Sequence, residues 1–155
     1  TIISLYTLWF ATFNHGKYIL NICESKNAYY QDLIVRLIEG LPYFLKPRFM
    51  RCNQDYISFE NGSKIVFRRC TPKATAGATV DLLLLHDILS KNIDIVKGGL
   101  LQTILPTFAC RTNSKMIITS SEYSIDEIAK DTCDSSIFKS SSYFTIKHLF
   151  YNQLT

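Results

Sequence analysis

The feature that most constrains this fold is the run DLLLLHD, from Asp81 to Asp87, in which four leucines lead directly into an ionisable pair. A continuous apolar run of this kind is typical of a strand buried on both faces, as in a parallel sheet covered by helices. In open α/β sheets, ligands bind at the carboxyl ends of such strands. The run therefore predicts a central strand with His86 and Asp87 at the functional edge, where Asp87 is a candidate reactive carboxylate.

A second buried strand is predicted at 115–118, and it runs directly into the hydroxyl cluster Thr119, Ser120 and Ser121. Parallel strands end at the same edge of a sheet, so these hydroxyls and Asp87 are expected to lie together. Such a combination suggests a nucleotide-hydrolysing site. The simpler alternative is that the aspartate and the hydroxyls only form ordinary turns at their strand ends.

Length and composition favour one compact domain. The chain has 155 residues, of which 47% are hydrophobic, and this is enough for a real core. The five cysteines are scattered without a CxxC pair, so they indicate a reducing, intracellular compartment rather than a disulfide framework or zinc ribbon. The apolar opening 2–13 is shorter than the roughly 20 residues that a bilayer requires, so we predict a helix and no membrane span.

Positive charge is concentrated in one part of the chain. The formal net charge is only +4, but residues 46–73 include seven basic and two acidic side chains. Within this segment Arg68, Arg69 and Lys73 are candidates for contacts with DNA phosphates. A solvated face without a binding role is the simpler interpretation of such a cluster, and the sequence leaves both open.

The remaining pattern alternates strands with helices, which predicts an α/β fold with a mostly parallel sheet flanked by helices. A short strand is predicted at Tyr18–Cys23. A helix follows, with Ser25 as its cap and Gly40 near its end. On the opening helix, Trp9 and Phe10 are predicted to belong to the core.

A β-hairpin is predicted where segments 56–60 and 64–69 meet at Asn61-Gly62, a dipeptide that tolerates the positive φ angles of a tight turn. A strict two-residue turn does not sort the apolar residues onto one face, so the register stays open. A glycine-containing loop is predicted at 71–79 and a helix at 93–105. Beyond the second buried strand we predict a helix at 126–133, a strand at 144–146 and a helical turn at 147–154.

Several of these segments, taken in order, resemble the ATPase domain of the large terminase subunit, the DNA-packaging motor of tailed bacteriophages. TIISLYTLWFATFN resembles the helix after the phosphate-binding lysine, LPYFLKP resembles an LPxFLxP segment, and ISFENGSKIVF resembles the NGS hairpin. CTPKATAGATVDLLLLHD stands in the place of the Walker B strand, and SKMIITSS stands in the place of the coupling motif. The similarity covers nearly the whole chain and depends on the order and spacing of the segments.

The resemblance implies a P-loop NTPase-like fold of the ASCE type with a β-hairpin insertion, and ATP and Mg²⁺ as cofactors. It implies that His86 and Asp87 take the places of the catalytic Asp-Glu pair, with Asp87 polarising the attacking water. Counting one residue further along would instead make Asp87 the metal ligand and leave Ile88 in the place of the base. Thr119, Ser120 and Ser121 would sense the γ-phosphate and couple hydrolysis to motion.

The chain departs from the family pattern in two places. No GxxxxGK[ST] loop occurs, and Thr1 would be the last hydroxyl of that loop or its neighbour, which makes it a nucleotide-binding candidate. We therefore expect residues 1–155 to be a single partial ATPase domain, without the Walker A loop or the nuclease domain, that binds ATP poorly alone. The other departure is His86, because Mg²⁺ favours oxygen ligands over a neutral imidazole.

The family also implies partners and a location. These are double-stranded DNA, the portal protein and the small terminase subunit, in a homo-oligomer on the portal, without a membrane, in the cytoplasm of the infected host cell. Two alternatives stay open. One is a non-catalytic, degenerate terminase-like module for assembly or DNA binding, indicated by His86 and the missing lysine. The other is a helicase-like ATPase, because helicases share the strand-then-acid and strand-then-hydroxyl patterns.

Overall fold

The computed structural model describes residues 2–23, 27–86, 99–100, 102–103 and 113–119. Within them the chain forms helices α1 (Ile2–Phe13) and α2 (Asn27–Glu39) and one six-stranded sheet. The strands are β1 (Tyr18–Cys23), β2 (Phe49–Cys52), β3 (Tyr56–Phe59), β4 (Lys64–Arg69), β5 (Leu82–His86) and β6 (Lys115–Ile118), and a short 3-10 helix covers Tyr43–Leu45. Ser25, most of the helix predicted at 93–105 and all elements predicted beyond residue 119 lie outside the described residues.

The sheet is mixed, with a parallel part and an antiparallel part. Its strand order is β2-β3-β4-β1-β5-β6. The four strands β4, β1, β5 and β6 are parallel, whereas β3 runs antiparallel to both of its neighbours. These findings confirm an α/β fold. The chain continues from β1 to β4 on one side and then to β5 on the other, so the strand order reverses at β1, where open sheets bind ligands.

The leucine run of β5 is buried because both faces of the sheet are covered. Leu82 and Leu84 pack in a cluster with apolar residues of α1 and α2. Leu83 and Leu85 pack on the opposite face, in a cluster that includes apolar residues of the loop 71–80. Successive residues of a strand point to opposite faces, so a run without polar interruption matches this two-sided core.

The hairpin register differs from that of a two-residue turn. The N–H of Phe59 donates to the carbonyl of Ser63 at 3.0 Å, so the loop contains three residues and ends at Gly62. Gly62 has a φ of +80°, the left-handed conformation that a three-residue hairpin loop requires at this position. The resulting register places Ile57 opposite Ile65, and both are fully buried. The hairpin is also part of the main sheet, since β4 pairs with β1 along its length.

The same turn fastens the hairpin to α1. The side-chain amide of Asn61 donates to the carbonyls of Ala11, Thr12 and Asn14 at 2.7, 3.1 and 3.2 Å. The hydroxyl of Ser63 donates to the Asn14 carbonyl at 2.7 Å. Carbonyls in the last turn of a helix have no partner within the helix, so these donors satisfy groups that would otherwise need water.

The prediction that Trp9 belongs to the core is wrong, whereas the prediction for Phe10 is confirmed. Trp9 is 50% exposed and Phe10 is only 7% exposed. Two polar residues, Ser4 and Thr7, are buried instead. Because α1 is apolar almost around its circumference, its pattern does not mark which face meets the sheet. In the described part of the chain, no helix has the length and apolarity needed to cross a membrane.

Candidate functional site

The carboxyl ends of the parallel strands bring four polar side chains into one row. Cys23 at the end of β1 is the register partner of Arg69 on β4 and of His86 on β5. Thr119 follows β6, and its hydroxyl oxygen lies 3.3 Å from Nδ1 of His86. Register partners in a parallel sheet point to the same face. We call this arrangement of Arg69, Cys23, His86 and Thr119 the strand-end row.

His86 is buried within the row, with only 5% of its surface exposed. Its ring stacks on Tyr30 of α2, with centroids 4.3 Å apart and planes 18° from parallel. The backbone N–H of Thr119 donates to the Leu85 carbonyl at 2.8 Å, which fixes the end of β6 against β5. The imidazole is therefore held between a helix and a strand end, and its tautomer decides whether Nδ1 or the Thr119 hydroxyl is the donor in their contact.

Sequence reasoning gave no role to Cys23 or Tyr30. Cys23 is 1% exposed, and its carbonyl accepts a hydrogen bond from the Cys70 N–H at 3.1 Å. The available signal for Cys23 was its position as the last residue of an apolar strand, which it shares with His86. Tyr30 offered no such signal, because its part in the site depends on how α2 crosses the sheet.

The structure describes only part of the predicted catalytic and coupling set. Asp87, Ser120, Ser121 and Thr1 lie outside the described residues. Of this set, His86 and Thr119 are described, and the structure brings them into contact. The order of the strands therefore joins the leucine run and the hydroxyl strand at their carboxyl ends, as the sequence predicts.

The described part of the row does not fit a magnesium ion. Among the residues that the structure describes, no group of three or more His, Cys, Asp or Glu side chains could hold a metal ion. The row offers a guanidinium, a thiol, an imidazole and one hydroxyl. Mg²⁺ prefers hard oxygen ligands, so only the hydroxyl is suitable in kind.

A second feature is an open cavity of about 500 Å³ at the carboxyl end of β4. It is lined by Asp55, Phe67, Arg68, Arg69, Thr71, Lys73 and Ala74. All three predicted DNA-binding residues are thus together, facing a single carboxylate. Nη1 of Arg68 donates to the Ala74 carbonyl at 2.6 Å, which fixes this side chain, while Arg69 and Lys73 are exposed. This basic cavity suits the charge of a phosphate group, and Arg69 also belongs to the strand-end row.

Comparisons with known proteins assign no family. No protein-family model matches the chain, and no curated protein matches it. A function is therefore inferred from the geometry of the strand-end row, from the basic cavity and from the order of the segments in the sequence.

Proposed function

We propose that this chain is part of the ATPase core of a terminase large subunit, whose complete form hydrolyses ATP with Mg²⁺ to translocate double-stranded DNA into procapsids. The observation that carries the proposal is the contact between Nδ1 of His86 and the hydroxyl of Thr119, at 3.3 Å. The segments that resemble the Walker B strand and the coupling motif are far apart in sequence. A motor of this class needs their ends to be neighbours, because both act at the γ-phosphate.

In this proposal the residues at the strand ends have separate tasks. Thr119 bonds to the Leu85 carbonyl through its N–H and contacts His86 through its hydroxyl, so a displacement of one strand end moves the other. Asp87 polarises the attacking water, and Ser120 and Ser121 complete the coupling motif. Positioning of this kind accounts for most of the catalysis in phosphoryl transfer.

The proposal includes the finer fold and the partners. The finer fold is a P-loop NTPase-like core of the ASCE type. The partners are double-stranded DNA, the portal protein and the small terminase subunit, in a homo-oligomer within the cytoplasm of the infected host cell. The basic cavity is the proposed contact with the DNA backbone, because its cations outnumber its one carboxylate.

A second candidate is a non-catalytic module of the same family that serves assembly or DNA binding. The observation that favours it is the enclosure of His86, which is 5% exposed and stacked on Tyr30 where the family has an acid. The gene upstream of Thr1 distinguishes the two candidates. Codons for a GK[ST] motif directly before Thr1 support the motor. A start codon upstream of Thr1 with no such loop after it contradicts the motor.

The exchange His86→Asp tests the site in the protein encoded by the complete reading frame. A carboxylate at this position should stabilise a magnesium ion that the imidazole binds poorly. We expect the ATPase rate to rise by more than about tenfold at limiting Mg²⁺, with half-saturation at a lower Mg²⁺ concentration. His86→Asn is the control, because asparagine has about the size of aspartate but carries no charge. If both exchanges leave the rate and the Mg²⁺ dependence unchanged, position 86 does not organise the metal.

Neutralising the basic cavity should weaken duplex binding in a salt-dependent way. We expect Arg69→Gln and Lys73→Gln each to lower the slope of log affinity against log salt by about 0.9, the value for one lost phosphate contact. Arg68 is a less clean choice, because it also bonds to the Ala74 carbonyl. Lys64→Gln is the control, since Lys64 lies outside the cavity, 3.8 Å above the Tyr56 ring. Equal slopes for all variants in a titration with labelled duplex would contradict the proposed contacts.

A further inference from the structure

The 3-10 helix and β2 expose aromatic rings beside basic side chains. Tyr43 is 89% exposed, Phe44 is 82% exposed and Phe49 is 41% exposed. The three cations between and beside them are also exposed, and residues 43–52 contain no acidic side chain. We call this set the 43–51 surface. It consists of Tyr43, Phe44, Lys46, Arg48, Phe49 and Arg51.

The backbone that carries Tyr43 and Phe44 is closed by its own hydrogen bonds. The 3-10 helix is closed by the Leu45 N–H, which donates to the Pro42 carbonyl at 2.9 Å, and by the Lys46 N–H, which donates to the Tyr43 carbonyl at 3.3 Å. Pro42 has a fixed φ, and a second proline follows Lys46 directly, which narrows the conformations of the segment. Ordering such a segment on binding therefore costs less conformational entropy than ordering a free loop.

Phe49 is anchored in a different way. Its ring stacks on Phe59, with centroids 5.9 Å apart and planes 25° from parallel. Phe59 is buried at 1% exposure, so one face of the Phe49 ring is backed by the core while much of the ring stays accessible. The Phe49 ring is thus backed on one side and open to solvent on part of its surface.

The geometry of β2 disfavours a partner that adds a strand to the sheet. In the sheet formed by the described residues, β2 is an edge strand of four residues, and its register with β3 shifts between Phe49 and Arg51. Short, irregular and positively charged edge strands discourage main-chain pairing with another chain. Recognition at this surface therefore depends on the side chains, which are rings and cations.

Rings and cations together match one class of partner. We propose that the 43–51 surface binds single-stranded nucleic acid, with bases stacked on the rings and phosphates paired with the cations. The nearby carboxylate of Glu60 lies 3.9 Å from Arg48, but both side chains are mostly exposed, and such a pair is weak. A duplex keeps its bases stacked inside the helix, so it cannot use the rings. This activity lies beyond the proposed motor function, which concerns duplex DNA, and does not depend on it.

The test is a fluorescence anisotropy titration of the full chain with labelled oligothymidylate of about 12 nucleotides, a length within the range of known single-strand sites. The double variant Tyr43→Ala/Phe44→Ala should weaken binding by at least roughly 5- to 150-fold, the range for the loss of a single stacked base. Its salt slope should stay that of the wild type. Lys46→Gln should instead lower the salt slope by about 0.7, the value for one phosphate contact with a single strand.

Control variants and a second probe establish whether the 43–51 surface itself binds the strand. Trp9→Ala removes an exposed ring beside Tyr6, which contacts Lys115 on the opposite edge strand, and should bind as the wild type does. Oligouridylate of the same length should also bind, because stacking does not need deoxyribose. A blunt duplex, which cannot use the rings, should bind the ring variant as tightly as it binds the wild type, and an equal loss of duplex and single-strand affinity in this variant would overturn the proposal. So would unchanged single-strand binding in the ring variant, or sedimentation showing that these rings join two copies of the chain.

Discussion

Replacing Asn61 with aspartate should lower the free energy of unfolding by about 3 kcal/mol or more. The Asn61 amide nitrogen donates to the carbonyls of Ala11, Thr12 and Asn14, at 2.7 to 3.2 Å. A carboxylate has no proton to donate, and it would bring negative charge to the negative end of the α1 dipole. Urea unfolding followed by circular dichroism measures the change.

Asn61→Ala separates the lost hydrogen bonds from the added charge. This exchange removes the amide donors, and also the Oδ1 that accepts from the Ser63 N–H at 2.9 Å, without adding a carboxylate. We expect a smaller loss of about 1–2 kcal/mol. The loss in free energy of unfolding caused by N61D should also become smaller at acidic pH, because a protonated carboxyl group can donate one hydrogen bond. The loss caused by N61A should not depend on pH in this way. Equal losses for the two variants at neutral pH would contradict the electrostatic contribution. Wild-type stability in both would mean that this side chain does not fasten the hairpin.

The sequence predicted β1 and β5 because their burial is two-sided. It also predicted β6, but the expectation that this strand is buried was wrong, because it lies at an edge of the described sheet with Lys115 exposed and its other residues half-buried. Tyr18–Cys23 was predicted with its observed bounds, and the strand before His86 was predicted from the leucine run. Strand β2 was not predicted. All four of its residues are exposed, so no alternation of apolar and polar side chains identifies Phe49–Cys52 as a strand. Its conformation depends on pairing with β3, which is a tertiary contact.

Trp9 shows the same limit in a helix. The segment Ile2–Phe13 was predicted correctly as a helix, because it is apolar and too short to span a membrane. The choice of buried face was wrong, because almost every position of α1 is apolar and the burial of Thr7 depends on its own hydrogen bond to the Ile3 carbonyl at 2.8 Å. A helical pattern identifies the face only when the opposite face is polar.

The candidate site was predictable to the extent that it follows from strand direction. The meeting of the β5 and β6 strand ends was expected, because parallel strands end at one edge of the sheet. The predicted partner of the hydroxyls, Asp87, lies outside the described residues. The position of Cys23 between Arg69 and His86 was not expected, because it depends on β1 lying between β4 and β5. Strand order is set by non-local packing, so the pattern of a single strand does not contain it.

The leucine run supports a second prediction with a large effect. Leu83→Ala and Leu84→Ala should each lower the free energy of unfolding by about 2–5 kcal/mol. Both leucines are fully buried, although they point to opposite faces of β5. If one face of the sheet were solvated, the leucine on that face could be replaced with almost no change in the free energy of unfolding. Large losses for both variants therefore indicate that both faces of the sheet are covered.

Leu5→Ala is the matched control for this pair, because Leu5 is 45% exposed on α1 and alanine favours a helix. We expect it to change the free energy of unfolding by less than about 1 kcal/mol in the same urea titration. If Leu83→Ala were as mild as this control, the loop 71–80 would not be packed on its face of the sheet. The basic cavity would then lose its support, because Lys73 and the Ala74 carbonyl that fixes Arg68 both lie on that loop.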